Sequence, residues 1–149
     1  PDNLFVLGHS AGGTHVASAV FDPRFRPANE NDLRGIILVS GIYSVGQDEQ
    51  RPNVIAYFGE DAAAYADRSP LAHVSNSNRK VLMMLAEHDP IPFVSSAFQF
   101  AGKLAETNDL TPQFYTAEKH NHISSMLAVG TEHDVVAERI LAFVAKNGK

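Results

Sequence analysis

The chain contains no cysteine. That excludes a disulfide framework, a thiolate nucleophile and a cysteine-ligated metal, and it leaves the redox compartment open. Positive charge is also scarce. Twelve Lys and Arg stand against 17 Asp and Glu, a formal net charge of -5 at pH 7. No basic surface therefore invites nucleic acid or an anionic membrane. No apolar run approaches the roughly 20 residues of a membrane span. No signal peptide, internal repeat or low-complexity tract is visible. The expectations that follow are a cytoplasmic location and neither nucleic acid nor membrane as partner. Seven histidines are present, but no H-E-x-x-H or H-x-x-E-H spacing, so no metal is expected.

What is there is ordinary globular composition: 149 residues, 44% apolar and 19% charged, enough for one domain with a core. "LFVLG" at 4–8 is a continuous apolar run, as a strand buried on both faces would be. "AGGTHVASAVF" after it carries Ala11, Val16, Ala17, Val20 and Phe21 at helical spacing, and Asp22-Pro23 stops the helix. "GIILVSG" at 35–41 predicts a second buried strand, and 53–70 one or two short helices. Lys80 to Asp89 predicts a third strand, 93–106 an amphipathic helix, 111–119 a fourth strand and 131–148 a closing helix ended by Gly148. Strands alternating with helices predict an α/β fold with a parallel sheet of about four strands. No linker divides residues 1–149.

"GHSAGG" sits between the first strand and the first helix. A turn this tight needs small residues two positions either side of its centre, and Gly8 and Gly12 flank Ser10 at that spacing. Such a turn strains the serine backbone and lifts its hydroxyl above the sheet at a helix N-terminus, where backbone N–H groups favour developing negative charge. Ser10 then reads as a nucleophile, with the Ala11 N–H as one oxyanion donor. The alternative is a helix-capping serine in a glycine-rich turn.

A serine hydroxyl needs a base to take its proton and works best when a carboxylate orients that base. Asp89 ends the third strand, and Pro90 turns the chain outward there; an Asp-Pro turn without chemistry is the other reading. Glu87 and Asp109 are weaker acid candidates. "EKHNHISSM" after the fourth strand offers His120 and His122 as the base, or only surface histidines. His9 and His15 flank the elbow as packing or capping residues, and His9 is also carried as a candidate substrate-binding residue with Ile91 and Phe93. His73 is expected in a turn. The stretch around Tyr57, Phe58 and Tyr65 reads equally as a lid or as crossover packing.

"GHSAGG" after a strand, then "SPLAHV", "AEHDPIPF" and "HNHIS" in that order, resemble the carboxyl-terminal half of an α/β-hydrolase over essentially all of the chain. The resemblance is to the carboxylesterase and arylformamidase-like esterase-lipase branch. It implies a serine hydrolase that cleaves a small carboxylic ester without a cofactor, with Ser10 as nucleophile, Asp89 as acid and His122 rather than His120 as base. An arylformamidase-type amide hydrolase and a non-catalytic binding module are the alternatives. The family takes its second oxyanion donor from a glycine-rich loop before the elbow strand and sets that strand mid-sheet. The expectation is therefore a partial fold, its amino-terminal strands and oxyanion loop supplied by the same or a second polypeptide.

Overall fold

A computed structural model of the chain describes residues 3–26, 33–74, 79–108 and 111–148. Asp109, one of the two weaker acid candidates, lies outside them. Four strands form one sheet in the order β1-β2-β3-β4, every pair parallel. They are β1 (Leu4–His9), β2 (Leu33–Val39), β3 (Lys80–His88) and β4 (Gln113–Asn121). Parallel strands need crossovers. α1 (Ala11–Phe21) joins β1 to β2, and α4 (Ile91–Asn108) joins β3 to β4. Between β2 and β3 lie α2 (Pro52–Phe58), α3 (Tyr65–Arg68) and two short 3-10 turns, Ala62–Ala64 and Pro70–His73. After β4 come α5 (Ser124–Leu127) and α6 (Ala137–Asn147).

Side-chain alternation divides the core into two layers. Ile36 and Leu38 of β2 and Met83 and Leu85 of β3 pack against Ala17 and Phe21 of α1 and Phe100 and Leu104 of α4. Ile37, Val39, Leu82 and Met84 point the other way, against Val136 and Phe143. This is a helix-sheet-helix sandwich. Each large side chain removed from water contributes on the order of 1.5–3 kcal/mol, so β2 and β3, apolar on both faces, hold the fold. β1 pairs only with β2 among the described residues, and Leu4 and Leu7 are 48% and 40% exposed. The run "LFVLG" is thus less buried than its composition predicts, because it lies at an edge of the sheet.

Boundaries differ from the sequence reading where side chains cap. α4 starts at Ile91, not Phe93: the Phe93 N–H donates to the Pro90 carbonyl at 2.9 Å, and Pro92 sits in the first turn, where no backbone N–H is required. The closing helix starts at Ala137, not 131. Asp134 Oδ1 accepts from the backbone N–H groups of Val136 and Ala137 at 3.0 and 2.7 Å and fixes that start. β4 runs two residues further than expected, to Asn121.

Candidate active site

Ser10 follows β1, Ser40 follows β2, Asp89 follows β3 and His122 follows β4. Parallel strands point the same way, so all four residues emerge at the carboxyl edge of the sheet, where open α/β sheets bind ligands. Ser10 has φ +57° and ψ -125°, in the left-handed half of backbone space. A non-glycine residue held there is strained and persists only where its surroundings impose it. Two bonds do so. The Ser10 N–H donates to the Val39 carbonyl at 2.9 Å, and its own carbonyl accepts from the Gly13 N–H at 3.0 Å. Gly8 is required by close approach: a Cβ there would lie 2.2 Å from the Gly12 carbonyl oxygen. Gly12 is not symmetric with it, since a Cβ on Gly12 would meet nothing within 4 Å.

Ser10 stands at the N-cap of α1 but makes no side-chain capping bond. Its Oγ lies 2.9 Å from His122 Nε2 instead. His122 Nδ1 lies 2.8 Å from Asp89 Oδ1. An ionised carboxylate only accepts, so the Nδ1–H donates to Asp89, which leaves Nε2 to accept from the Ser10 hydroxyl. The Asp89 side chain is wholly buried. Its second oxygen accepts from the Ser40 hydroxyl at 2.6 Å and from the Ala86 N–H at 2.7 Å. Burying a carboxylate is tolerable only when its lone pairs are satisfied in this way.

The His122 ring lies between two other rings: His9 at 4.8 Å and Phe93 at 4.4 Å between centroids. His9 Nε2 also donates to the His122 carbonyl at 3.0 Å. Burial, and then the nearby His122 ring, lower the pKa of His9 below its usual 6.5. His9 is therefore held neutral beside a ring whose task would be to accept a proton. His120 is turned away, its Nδ1 3.2 Å from the Ser124 hydroxyl. Glu87 accepts from the Lys119 N–H, tying β3 to β4 away from Ser10.

A cavity of about 190 Å³ opens on Ser10 and Ala11, walled by Ile42, Val54, Tyr57, Phe58 and Phe93. Of the three residues carried as substrate-binding candidates, Phe93 lines this cavity. Ile91 does not: it is 75% exposed at the start of α4. Nor does His9 line it; it packs behind His122. Tyr57 and Phe58 form a cavity wall, while Tyr65 is buried beneath them, its hydroxyl donating to the Gly59 carbonyl at 2.8 Å. The lid and packing readings therefore divide between neighbours on one short stretch. The wall is anchored from below. Thr14 Oγ1 donates to the Ile42 carbonyl at 2.8 Å, and the Tyr43 N–H donates to Ser96 Oγ at 2.6 Å.

The chain matches the model of the prolyl oligopeptidase family over residues 1–149. It belongs to the prolyl oligopeptidase family. No curated protein matches it. Among solved structures, a protein of Silicibacter sp. tm1040 with a suggested thioesterase activity is similar at 25% identity and TM-score 0.64, covering 88% of this chain and 48% of that one. The thermophilic esterase Est2 of Thermogutta terrifontis is similar at 15% identity and TM-score 0.67, covering 98% and 54%, and is also solved phosphoramylated by tabun. A puromycin-hydrolyzing peptidase of Mycobacterium tuberculosis is similar at 22% identity and TM-score 0.63, covering 82% and 19%. The chain spans about half the length of the first two. The α/β-hydrolase fold read from the sequence is thus the fold of its structural neighbours, and the four parallel strands correspond to part of theirs.

Within this prolyl oligopeptidase-family fold, Ser40 is the site residue that sequence reasoning passed over. Its only local signal is a serine at the end of a buried strand, before Gly41. Its φ of +48° and its complete burial mark it as the second imposed backbone at the sheet edge.

Proposed function

We propose that this chain carries the nucleophile, base and acid of a serine hydrolase that cleaves small carboxylic esters through an acyl-enzyme on Ser10. The observation that carries the reading is the His122 ring, in hydrogen-bond contact with Ser10 Oγ at 2.9 Å and with Asp89 Oδ1 at 2.8 Å. His122 Nε2 takes the hydroxyl proton as Ser10 Oγ bonds to the ester carbonyl carbon. Asp89 steadies the imidazolium that forms. The Ala11 N–H, in the first turn of α1, has no partner within the helix and donates to the oxyanion. The tetrahedral adduct collapses, the C–O bond to the alcohol breaks, and the His122 proton goes to the departing alkoxide. Water then attacks the acyl carbon, gives a proton to His122 and releases the acid, and the proton returns to Ser10. No cofactor enters these steps.

Amide cleavage is the second reading, favoured by membership of a peptidase-named family and by the peptidase among the structural neighbours. An arylformamide is the small-molecule form of that substrate. In the complete protein, Ser10→Ala is expected to abolish p-nitrophenyl butyrate turnover by on the order of 10⁶-fold and to block labelling by a fluorophosphonate. Turnover within tenfold of wild type would place the chemistry elsewhere. A kcat/KM comparison of the ester with an aminoacyl anilide and an N-formyl anilide decides between ester and amide.

A further inference from the structure

A second cavity, of about 400 Å³, lies behind the wall of the first. The two share Tyr57 and Phe58. Among the described residues no carboxylate lines the second, but two guanidinium groups do, Arg24 and Arg68, together with His15 and Phe25. Tyr57 is held between the two spaces by His15, whose Nδ1 lies 2.9 Å from its hydroxyl. Phe25 and Tyr57 are 63% and 40% exposed. Exposed aromatic surface beside cations is the lining an amphipathic anion fits.

The two arginines are not equivalent. Arg24 is spoken for: it forms ion pairs with Asp22 and Asp67, each at 2.6 Å, and also donates to the Asp67 carbonyl. Arg68 donates through Nη1 to the Phe58 carbonyl, and among the described residues no carboxylate lies within ion-pair distance of it. A guanidinium has five donors in a planar fork. One neutral carbonyl leaves most of that fork available, and a carboxylate is the group that matches it in pairs. The same bond ties Arg68 to Phe58, a residue of the shared wall, so the cation is fixed relative to the space above Ser10.

We propose that this second cavity receives a carboxylate carried by the far end of the substrate, with Arg68 as its charge partner and Tyr57 and Phe58 as the aromatic wall between it and Ser10. The proposal rests on the serine-hydrolase reading of Ser10 and narrows it to esters that bear a second, unesterified acid group. The reacting carbonyl lies at Ser10, a short apolar linker passes the wall, and the free acid meets Arg68. A neutral ester of the same length leaves the fork hydrated and gains nothing from it.

The test uses the complete protein and two matched pairs of substrates. One pair carries the acid on the acyl side, mono-p-nitrophenyl glutarate against its methyl ester. The other carries it on the alcohol side, 3-carboxyphenyl butyrate against its methyl ester. In at least one pair the free acid is expected to be favoured about tenfold or more in kcat/KM, the worth of one charge-assisted contact. Arg68→Gln is expected to bring that ratio to near one, and Arg68→Lys to restore part of it. Raising NaCl from 20 mM to 500 mM should shrink the wild-type ratio, a readout that needs no variant to fold. Ratios near one in both pairs, or a ratio equal in wild type and Arg68→Gln, would overturn the proposal. If no ester is turned over at all, the hydrolase reading fails on its own. The anion site is then read by calorimetry on the Ser10→Ala protein: benzoate binding tighter than benzyl alcohol, weakened by Arg68→Gln, sustains the site, and equal or absent binding overturns it.

Discussion

The Ser40 hydroxyl donates to Asp89 Oδ2 at 2.6 Å, and both residues are buried. Asp89 therefore presents only its other oxygen to His122, at a fixed angle. Ser40→Ala removes a charge-assisted bond and leaves one carboxylate lone pair buried without a donor, a cost of about 1–3 kcal/mol. We expect a stable but weakened protein whose kcat for ester hydrolysis falls about tenfold or more while KM changes little. Steady-state kinetics and a urea titration on the same preparation check this. Unchanged kcat would mean that the Ala86 N–H alone orients Asp89.

His9 should make stability depend on acidity. Its ring binds a proton more weakly when folded, because burial and the His122 ring both oppose its charge. The unfolded chain then takes up more protons on acidification than the folded one does. The stability contributed by neutral His9 is present above its ordinary pKa of about 6.5 and is lost as pH falls through its lower folded value. His9→Gln cannot titrate. Its urea midpoint is expected to fall less than that of wild type between pH 7 and pH 5. Parallel curves would show that His9 carries no such linkage.

The two glycines of G-x-S-x-G should behave differently. A methyl group on Gly8 would collide with the Gly12 carbonyl at 2.2 Å, and backbone on both sides must move. Gly8→Ala is expected to cost about 3 kcal/mol or more. A methyl group on Gly12 meets nothing within 4 Å and gains helix propensity, so Gly12→Ala is expected to change stability by less than about 1 kcal/mol. Urea unfolding of both variants reads the difference, and similar losses would contradict the geometry.

The open side of β1 carries the last prediction. Its backbone groups face away from β2 with no strand beyond them among the described residues, and Leu4 and Leu7 are half exposed beside that edge. Such an edge templates association. We expect residues 1–149 expressed alone to form mixed oligomers with little ester turnover, and a longer chain that supplies the neighbouring strands to be monodisperse and active. Light scattering and the p-nitrophenyl butyrate assay decide it. A monomeric, fully active 149-residue chain would show that every donor to the oxyanion lies within it.

How much of this was legible in the sequence depends on distance along the chain. β2 and β3 were, because apolar residues on both faces leave no other reading. The tight turn from β1 into α1 was, because Gly8, Ser10 and the following helix lie within a few residues. Asp89 was readable from its place at a strand end, whereas two histidines follow β4 and only the family resemblance favoured His122 over His120. The starts of α4 and α6 were not, because a proline within the first turn reads like a stop and the Asp134 cap lies inside an apparently helical stretch. Ser40 and His9 were harder still. Their partners are 49 and 113 positions away, and no local pattern encodes a contact that the sheet creates by setting strand ends side by side. The second cavity belongs to the same class, since α1, α2 and α3 each supply part of it.

Ser10 and His122 lie 112 positions apart in the chain. The Ser10 backbone is set once β1 and α1 pack against β2, whose Val39 carbonyl holds its N–H, yet on the proposed reading its hydroxyl stays as unreactive as that of any free serine until the turn after β4 brings His122 to it. With Ser10 as the nucleophile we propose, its phosphonate reactivity would gauge completed assembly rather than the serine's presence. On that reading a chain stalled, truncated or misfolded before β4 would stay chemically silent, and an incomplete molecule would escape acylating agents.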